Sequence, residues 1–332
     1  MRVLVVGGAG YIGSHMVKML LDQGHTVITF DNLSSGFRDA VLGGEFVKGD
    51  LSDLARLDEV FVAHQPEAVM HFASHIQVGE SVARPDKYYL NNFSNTLNLL
   101  DAMVKHGVKY FLFSSTAAIF GEPAYLPINE SHPKHPLNPY GRSKWMVEQV
   151  LADYERAFGL KSVCLRYFNA AGADPSGLLG ERHEPETHLI PLVLQAISGR
   201  RGSITVYGRD YDTPDGTCIR DYIHVVDICT AHSLALTKLM ATDHSQRYNL
   251  GNGSGFSVQQ VIDAAERVTN NKVRVVEGQR RQGDPARLVA DSTLARKALC
   301  WQPVYSDLET MILHAWLWEA FVSSAQPKER IA

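Results

Sequence analysis

Three observations predict an α/β protein: a doubly wound parallel (Rossmann-type) sheet with a smaller, discontinuous α/β domain attached. Val3-Leu4-Val5-Val6 is apolar at every position, as in a strand buried on both faces, and it ends in a glycine-rich turn. Strand-like runs then alternate with helical patterns through the first half of the chain, which is the signature of βαβ units. After Gly172 the alternation breaks into loops, and only Arg247-Tyr248-Asn249-Leu250-Gly251 reads as a strand returning to the main sheet. The expected division is therefore 1–175, with a returning segment near 222–252, against a second domain made of 176–221 and 253–332.

The bulk properties agree with a soluble enzyme-sized chain. At roughly 100–200 residues per domain, 332 residues suggest two domains and a large core. Lys plus Arg number 32 against 36 Asp plus Glu, and no basic run marks a nucleic-acid or anionic-lipid face. No apolar run approaches the ~20 residues of a membrane span, and the first strand follows Met1 too closely for a signal peptide. Cys164, Cys218, Cys229 and Cys300 lack metal-ligand spacing, and three sit in apolar runs. They are expected to be buried reduced thiols, as in a cytoplasmic protein.

Taken in order, the first turn carries Gly7, Gly10 and Gly13, and Ile12, Met16, Val17, Leu20 and Leu21 give the next segment an amphipathic helical pattern. A strand, a glycine turn and a helix N-terminus present backbone N–H groups to a pyrophosphate. The second strand, Thr26 to Phe30, ends in Asp31, an acceptor for an adenosine ribose hydroxyl. Its charge opposes a ribose phosphate and favours NAD over NADP, a preference that nearby Arg38 weakens. Further strands are expected at Phe46-Val47, Ala68 to Phe72, Tyr110 to Phe113 and Val163 to Tyr167. Ligands in such sheets sit beyond the carboxyl ends of the strands. Asp31, Asp50, Phe72-Ala73, Ser114-Ser115-Thr116 and Tyr167-Phe168-Asn169 should thus line one crevice. Asp50-Leu51 either faces an adenine or belongs to a helix cap at Ser52-Asp53.

Asn138-Pro139-Tyr140-Gly141-Arg142-Ser143-Lys144 reads as a helix start, with Asn138 as cap and Pro139 in the first turn. Tyr140 and Lys144 stand one turn apart on one face. An ammonium beside a phenol stabilises the phenolate and lowers its pKa, making Tyr140 a candidate proton acceptor. Alone, the spacing is more simply that of an ordinary surface helix.

The chain resembles the extended short-chain dehydrogenase/reductase family, and within it the nucleotide-sugar 4-epimerases, from residue 2 to about 320. The motifs are Gly7 to His15, Asp31-Asn32-Leu33, His71-Phe72-Ala73, Phe113 to Gly121, Pro139 to Lys144, Arg166 to Gly172 and Arg220 to Val225. The resemblance implies NAD-dependent interconversion of UDP-glucose and UDP-galactose through a transient 4-keto sugar. Tyr140 is then the base, Lys144 the ligand of the nicotinamide ribose, and Thr116, where most such enzymes have Ser, the partner of the sugar O4. Cofactor contacts are implied for Gly7, Gly10, Tyr11, Ile12, Gly13, Asp31, Asn32, Ser35, Asp50, Leu51, Phe72, Ala73, Asn91, Ser114, Tyr140, Lys144 and Tyr167. Several relatives carry a phosphate-binding lysine after His-Phe-Ala. This chain reads Ser74-His75-Ile76-Gln77, so His75 either replaces that contact or is an exposed loop histidine.

For the nucleotide sugar, the resemblance implies Thr116, Tyr140, Asn169, His188, Leu189, Thr205, Tyr207, Arg220, Arg281, Asp284 and Leu288. Arg220 and Arg281 would take the diphosphate, and Leu288 would flank the hexose. Without it, either arginine reads as half of a solvated ion pair. No metal is expected: His183 and His188 lie in a loop without a helical face or cysteine partners. A 4,6-dehydratase needs an acid pair after the catalytic Thr, where this chain has Ala117-Ala118, and an NAD-binding scaffold protein has no need of Tyr140 and Lys144. A homodimer through helices near 85–105 and 140–158 is the family's habit. Val258 to Val268 is expected as an amphipathic helix over the returning strand, Met311 to Phe321 as a packed helix, and Ser323 to Ala332 as frayed.

Overall fold

The computed structural model describes residues 1–281 and 284–325. The first half comprises β1 (Arg2–Val6), α1 (Tyr11–Asp22), β2 (Thr26–Asp31), β3 (Glu45–Lys48), α2 (Leu54–His64), β4 (Ala68–His71), α3 (Val78–Ala83), α4 (Pro85–Tyr88), α5 (Asn95–Lys105), β5 (Tyr110–Thr116), α6 (Pro139–Phe158) and β6 (Lys161–Tyr167). The second comprises β7 (Asn169–Ala171), α7 (Leu189–Ser198), β8 (Ile204–Tyr207), β9 (Ile219–Arg220), β10 (Tyr222–His224), α8 (Val225–Thr242), β11 (Gln246–Leu250), β12 (Phe256–Ser257), α9 (Val258–Thr269), β13 (Val275–Gly278), β14 (Arg287–Leu288), α10 (Thr293–Leu299) and α11 (Leu308–Ala325).

Seven strands form one parallel sheet in the order β11-β6-β5-β4-β1-β2-β3. Successive strand residues point to opposite faces, which explains why β1 is apolar throughout. Val3 and Val5 join a core with Met16, Val17 and Leu20 of α1 and Ile228 and Leu236 of α8. Leu4 and Val6 join the opposite core, with Phe61 of α2, Leu99 and Met103 of α5, and Val147 and Leu151 of α6. β5 runs through Ser114, Ser115 and Thr116, in register with Leu165, Arg166 and Tyr167, so its polar end is held as strand.

A second core gathers Val193 and Leu194 of α7, Val261, Ile262 and Ala265 of α9, and Met311 and Ile312 of α11. Here α9 departs from the expectation that it would cover β11. Its apolar stripe instead finds the apolar α7 and α11, while Ala295, Leu299 and Trp301 join the first core, α10 lying against β11. Trp316 of α11 packs on the second core, but Leu317 and Phe321 are exposed. That helix continues to Ala325, past the expected start of fraying; 326–332, and Gln282 and Gly283, lie outside the described residues. Burial holds for two of the cysteines, Cys164 and Cys229. Cys218 is half-buried and Cys300, in the left-handed cap of α10, is exposed.

Candidate active site

The strand order turns between β1 and β4, where an open α/β sheet leaves a crevice. Gly7 ends β1 at φ +80°, and a Cβ there would lie 2.4 Å from the Ala73 nitrogen. A Cβ on Gly13 would lie 2.1 Å from the Gly7 carbonyl oxygen. The turn therefore admits no side chain at either position, and Gly10 caps α1 without a side-chain hydrogen bond. Bare backbone at a helix N-terminus fits a dinucleotide pyrophosphate. The Tyr11 hydroxyl is turned away to donate to the Gly172 carbonyl at 2.6 Å, and Ile12 packs on the first core.

Asp31 is buried at the tip of β2. Its carboxylate accepts from the Ala9 and Leu33 N–H groups at 2.9 and 2.8 Å, tying strand to glycine turn. Burial pushes its pKa up while those two bonds pull it down. The Arg38 guanidinium sits 4.5 Å over the Phe46 ring and donates to the Val41 carbonyl. Asn32 donates to Asp50 at 2.6 Å, and Asp50 also receives the Ser52 N–H and hydroxyl. The α2 cap is Asp53, leaving Asp50-Leu51 outside the helix, and Ser35 is exposed on the neighbouring loop. Residues Tyr89–Ser94 wind as a π-helix, an irregularity frequent at functional sites. In it Asn91 donates to Asn92, which grips the backbone of His75 on both sides. His75 is half-buried against Tyr88, not an exposed loop residue, and burial lowers its pKa, which favours the neutral ring.

The start of α6 forms as its residues predict: Asn138 accepts from the Gly141 N–H at 2.8 Å and Pro139 takes the first turn. Lys144 is buried, and its Nζ donates to the Ser74 hydroxyl at 2.6 Å and the Ser114 carbonyl at 2.7 Å, 4.8 Å over the Phe113 ring. Burial lowers its pKa to about 7, with Glu148 opposing. This corrects the expected lowering of Tyr140. The lysine is engaged with Ser74 and Ser114, burial raises the phenol, and the Thr116 hydroxyl pulls it down. Ser114 shares a short hydrogen bond with Tyr167, and Thr116 accepts from the Ala118 N–H. Phe72, just past β4, packs on His232, as does Tyr167.

Sequence reading missed Ser74 and Glu148. Glu148, one turn beyond Lys144 and fully buried, pairs with Arg166 at 2.6 Å and accepts from the Ser115 hydroxyl at 2.6 Å. Its i, i+4 spacing from Lys144 was the available signal; its partners lie on β5, β6 and β11.

Arg220 on β9 pairs with Asp284 and donates to the Pro285 carbonyl. Arg281 lies 4.0 Å over the Tyr207 ring, Tyr207 is exposed on β8, and Thr205, two residues before it on the same strand, is half-buried. Asn169 starts β7 and donates its N–H to the Asp221 carbonyl. Leu288, opposite Arg220 in the β14–β9 pair, packs on Ala117, Ile119, Phe120 and Ile128, immediately after Thr116. His188 caps α7, whose Leu189 packs on the second core, and its Nδ1 lies 2.8 Å from Glu181 and 3.0 Å from Glu186.

The chain matches the model of the NAD dependent epimerase/dehydratase family over residues 3–251. It is 51% identical to a UDP-glucose 4-epimerase of Halalkalibacterium halodurans over 96% of this chain and 95% of that one. A solved UDP-glucose 4-epimerase from Brucella ovis in complex with NAD is 50% identical, with TM-score 0.93 over 95% of this chain and 97% of that one. One from Bifidobacterium longum in complex with NAD+ and UDP is 39% identical, with TM-score 0.91 over 97% and 98%. The bare glycine turn, the acid that ends β2 and the Tyr140–Lys144 helix thus sit on a scaffold shared end to end with these enzymes, and the chain belongs to the NAD dependent epimerase/dehydratase family, among its UDP-glucose 4-epimerases.

Proposed function

We propose that the protein interconverts UDP-glucose and UDP-galactose by epimerisation at C4, with NAD as resident cofactor. The observation that supports it most is the convergence of Tyr140, Lys144 and Thr116 at the carboxyl end of β5, beside the turn that admits no side chain at Gly7 and Gly13. NAD supplies a reversible hydride acceptor. Tyr140 removes the O4 proton and later returns it, while Thr116 orients O4. Lys144 would hold the nicotinamide ribose, and in its protonated form, which Glu148 favours, it offsets the cost of a buried phenolate. Because the 4-keto sugar must present both faces, binding energy has to go to the part that does not turn. Arg220, Arg281 and Asn169 would hold the diphosphate, an arrangement suited to planar multi-donor cations. Thr205, Tyr207 and Asp284 would hold the uridine, with His188 and Leu189 at the pocket edge. The hexose keeps few contacts, Leu288 among them.

Elimination of water, the dehydratase alternative, needs an acid where Ala117-Ala118 stand. In this reading the cofactor sits on 1–175 with 222–252 and the nucleotide sugar on 176–221 with 253–332. A homodimer through 85–105 and 140–158 is part of the proposal, supported by exposed Leu90 and Phe158 at those helices, as is a cytoplasmic location. No described helix is long and apolar enough to cross a membrane.

The test is incubation of pure protein with UDP-galactose and no added cofactor. UDP-glucose should accumulate to equilibrium, and its absence even with added NAD would overturn the reading. A monomer mass at micromolar concentration would overturn the dimer.

A further inference from the structure

The loop before α7 contains the same short unit twice, Glu181-x-His183 and Glu186-x-His188, separated by Glu184-Pro185. In extended backbone, residues two apart face the same side, so each unit can present a carboxylate and an imidazole together. The fold then turns the two units toward one another. One ligand atom from each of Glu181, His183, Glu186 and His188 lies within 4.8 Å of all the others, the only such group among the described residues. These are not surface acids: the two carboxylate side chains are 8% and 4% exposed. The contacts are 2.8 Å and 3.0 Å from His188 Nδ1 to Glu181 and Glu186, and 3.3 Å and 3.5 Å from His183 Nδ1 to the same two residues. The buried His183 Nδ1 makes no hydrogen bond of proper geometry.

We propose that these four residues bind one divalent transition-metal ion of the zinc class, as a structural site. Two imidazole nitrogens with two carboxylate oxygens is a closed four-coordinate set, and their charges sum to that of the ion with opposite sign. Tetrahedral ligands at about 2.0–2.2 Å from one ion stand ~3.3–3.6 Å apart, so the four histidine–glutamate contacts already lie at or below that spacing while the farthest pair of the 4.8 Å group must draw in by about an ångström. The surroundings show what the ion would hold. The His183 ring meets Tyr11 of α1 edge-on at 6.5 Å, and Trp318 of α11 donates to the Glu181 carbonyl at 3.0 Å. The ion would staple the loop carrying His188 between the cofactor turn and the second core.

The test does not use catalysis, so it is independent of the proposed activity. Untagged protein with Cys300→Ser, which removes the exposed thiol, is stripped with a chelator, saturated with zinc chloride, desalted and analysed for metal. One zinc per chain, a higher melting temperature than the stripped protein, and visible absorption of a four-coordinate ion with cobalt are expected. His183→Gln should weaken zinc binding by more than the roughly 10–100-fold lost with an outer-sphere partner. His183→Gln with Glu186→Gln should abolish it. The proposal is overturned if saturated wild-type loops hold no zinc after desalting, a result that needs no variant to fold. It is equally overturned if the folded double variant, checked by circular dichroism, retains as much zinc as the parent. Either outcome leaves the four residues as two mutually neutralising histidine–glutamate pairs.

Discussion

At the scale of single residues, the proposed chemistry depends on one proton held at the Tyr140 oxygen. Tyr140→Phe removes a hydroxyl and leaves the ring, so fold and cofactor content should persist. Turnover should fall by more than the ~10² to 10⁴ of a general acid–base group, because proton removal is coupled to hydride transfer. Retention of over about a tenth of parental kcat would take Tyr140 out of the mechanism. Asp31→Ala should weaken NAD relative to NADP, since an acceptor and a repelling charge disappear together. The carboxylate also ties the Ala9 and Leu33 N–H groups, so both affinities should fall while their ratio shifts. An unchanged ratio in paired cofactor titrations would remove Asp31 from cofactor choice. Both residues were legible in the sequence, because each stands at a strand tip or helix turn whose local pattern announces itself.

At the scale of elements, α6 does more than display Tyr140 and Lys144. Its inner face carries Glu148 into the sheet, where Arg166 of β6, Arg247 of β11 and the Ser115 hydroxyl of β5 meet it. These ties hold α6 against the strand end that supplies the Ser114 carbonyl to Lys144 and the Thr116 hydroxyl to the site. Removing one partner of a buried ion pair leaves an uncompensated charge, typically at a cost of about 3–5 kcal/mol. Glu148→Gln should destabilise the protein by that order in urea unfolding, and a loss below about 1 kcal/mol would show that Arg247 and water already compensate Arg166. None of this was visible along the chain, since the partners of Glu148 come from three different strands.

At the scale of the whole molecule, two properties depend on how distant segments meet. Leu288, on a short strand of the second half, packs against the residues that follow Thr116 in the first. Leu is shorter than Tyr and bulkier than Cys. Epimerisation of UDP-glucose and UDP-galactose should therefore be efficient and that of the N-acetylated pair weak. Leu288→Cys should raise the N-acetyl activity by at most ~1 to 3 kcal/mol in kcat/KM, the scale for reshaping an apolar pocket. Equal kcat/KM for both sugar pairs in the parent would show that Leu288 is not the gate.

The second property is acid stability. Burial lowers His15 and His232 to about 4 and His71 and His224 to about 3, His224 also facing His314. A histidine with a lowered native pKa contributes stability above its unfolded value near 6.5 and loses it as pH falls toward the native value. Each such ring can cost up to about 1.4 kcal/mol per pH unit below 6.5. The melting temperature should thus start to fall near pH 6.5, well before carboxylates protonate, and a flat profile from pH 7 to 5 would contradict it.

What the sequence determined by itself is the parallel sheet, the glycine turn, the acid at the second strand tip and the start of α6. Those are local: strand periodicity, sterics at two glycines and one helical turn specify them without reference to the rest of the chain. The packing of α9 on α7 and α11, the engagement of Lys144 by Ser74 and Ser114, and the seat of Leu288 beside Thr116 belong to the tertiary structure. So does the pairing of two Glu-x-His units into one cluster. In each of these the partners are far apart in sequence or meet only when a loop closes, so the interaction energy exists only once the chain has packed.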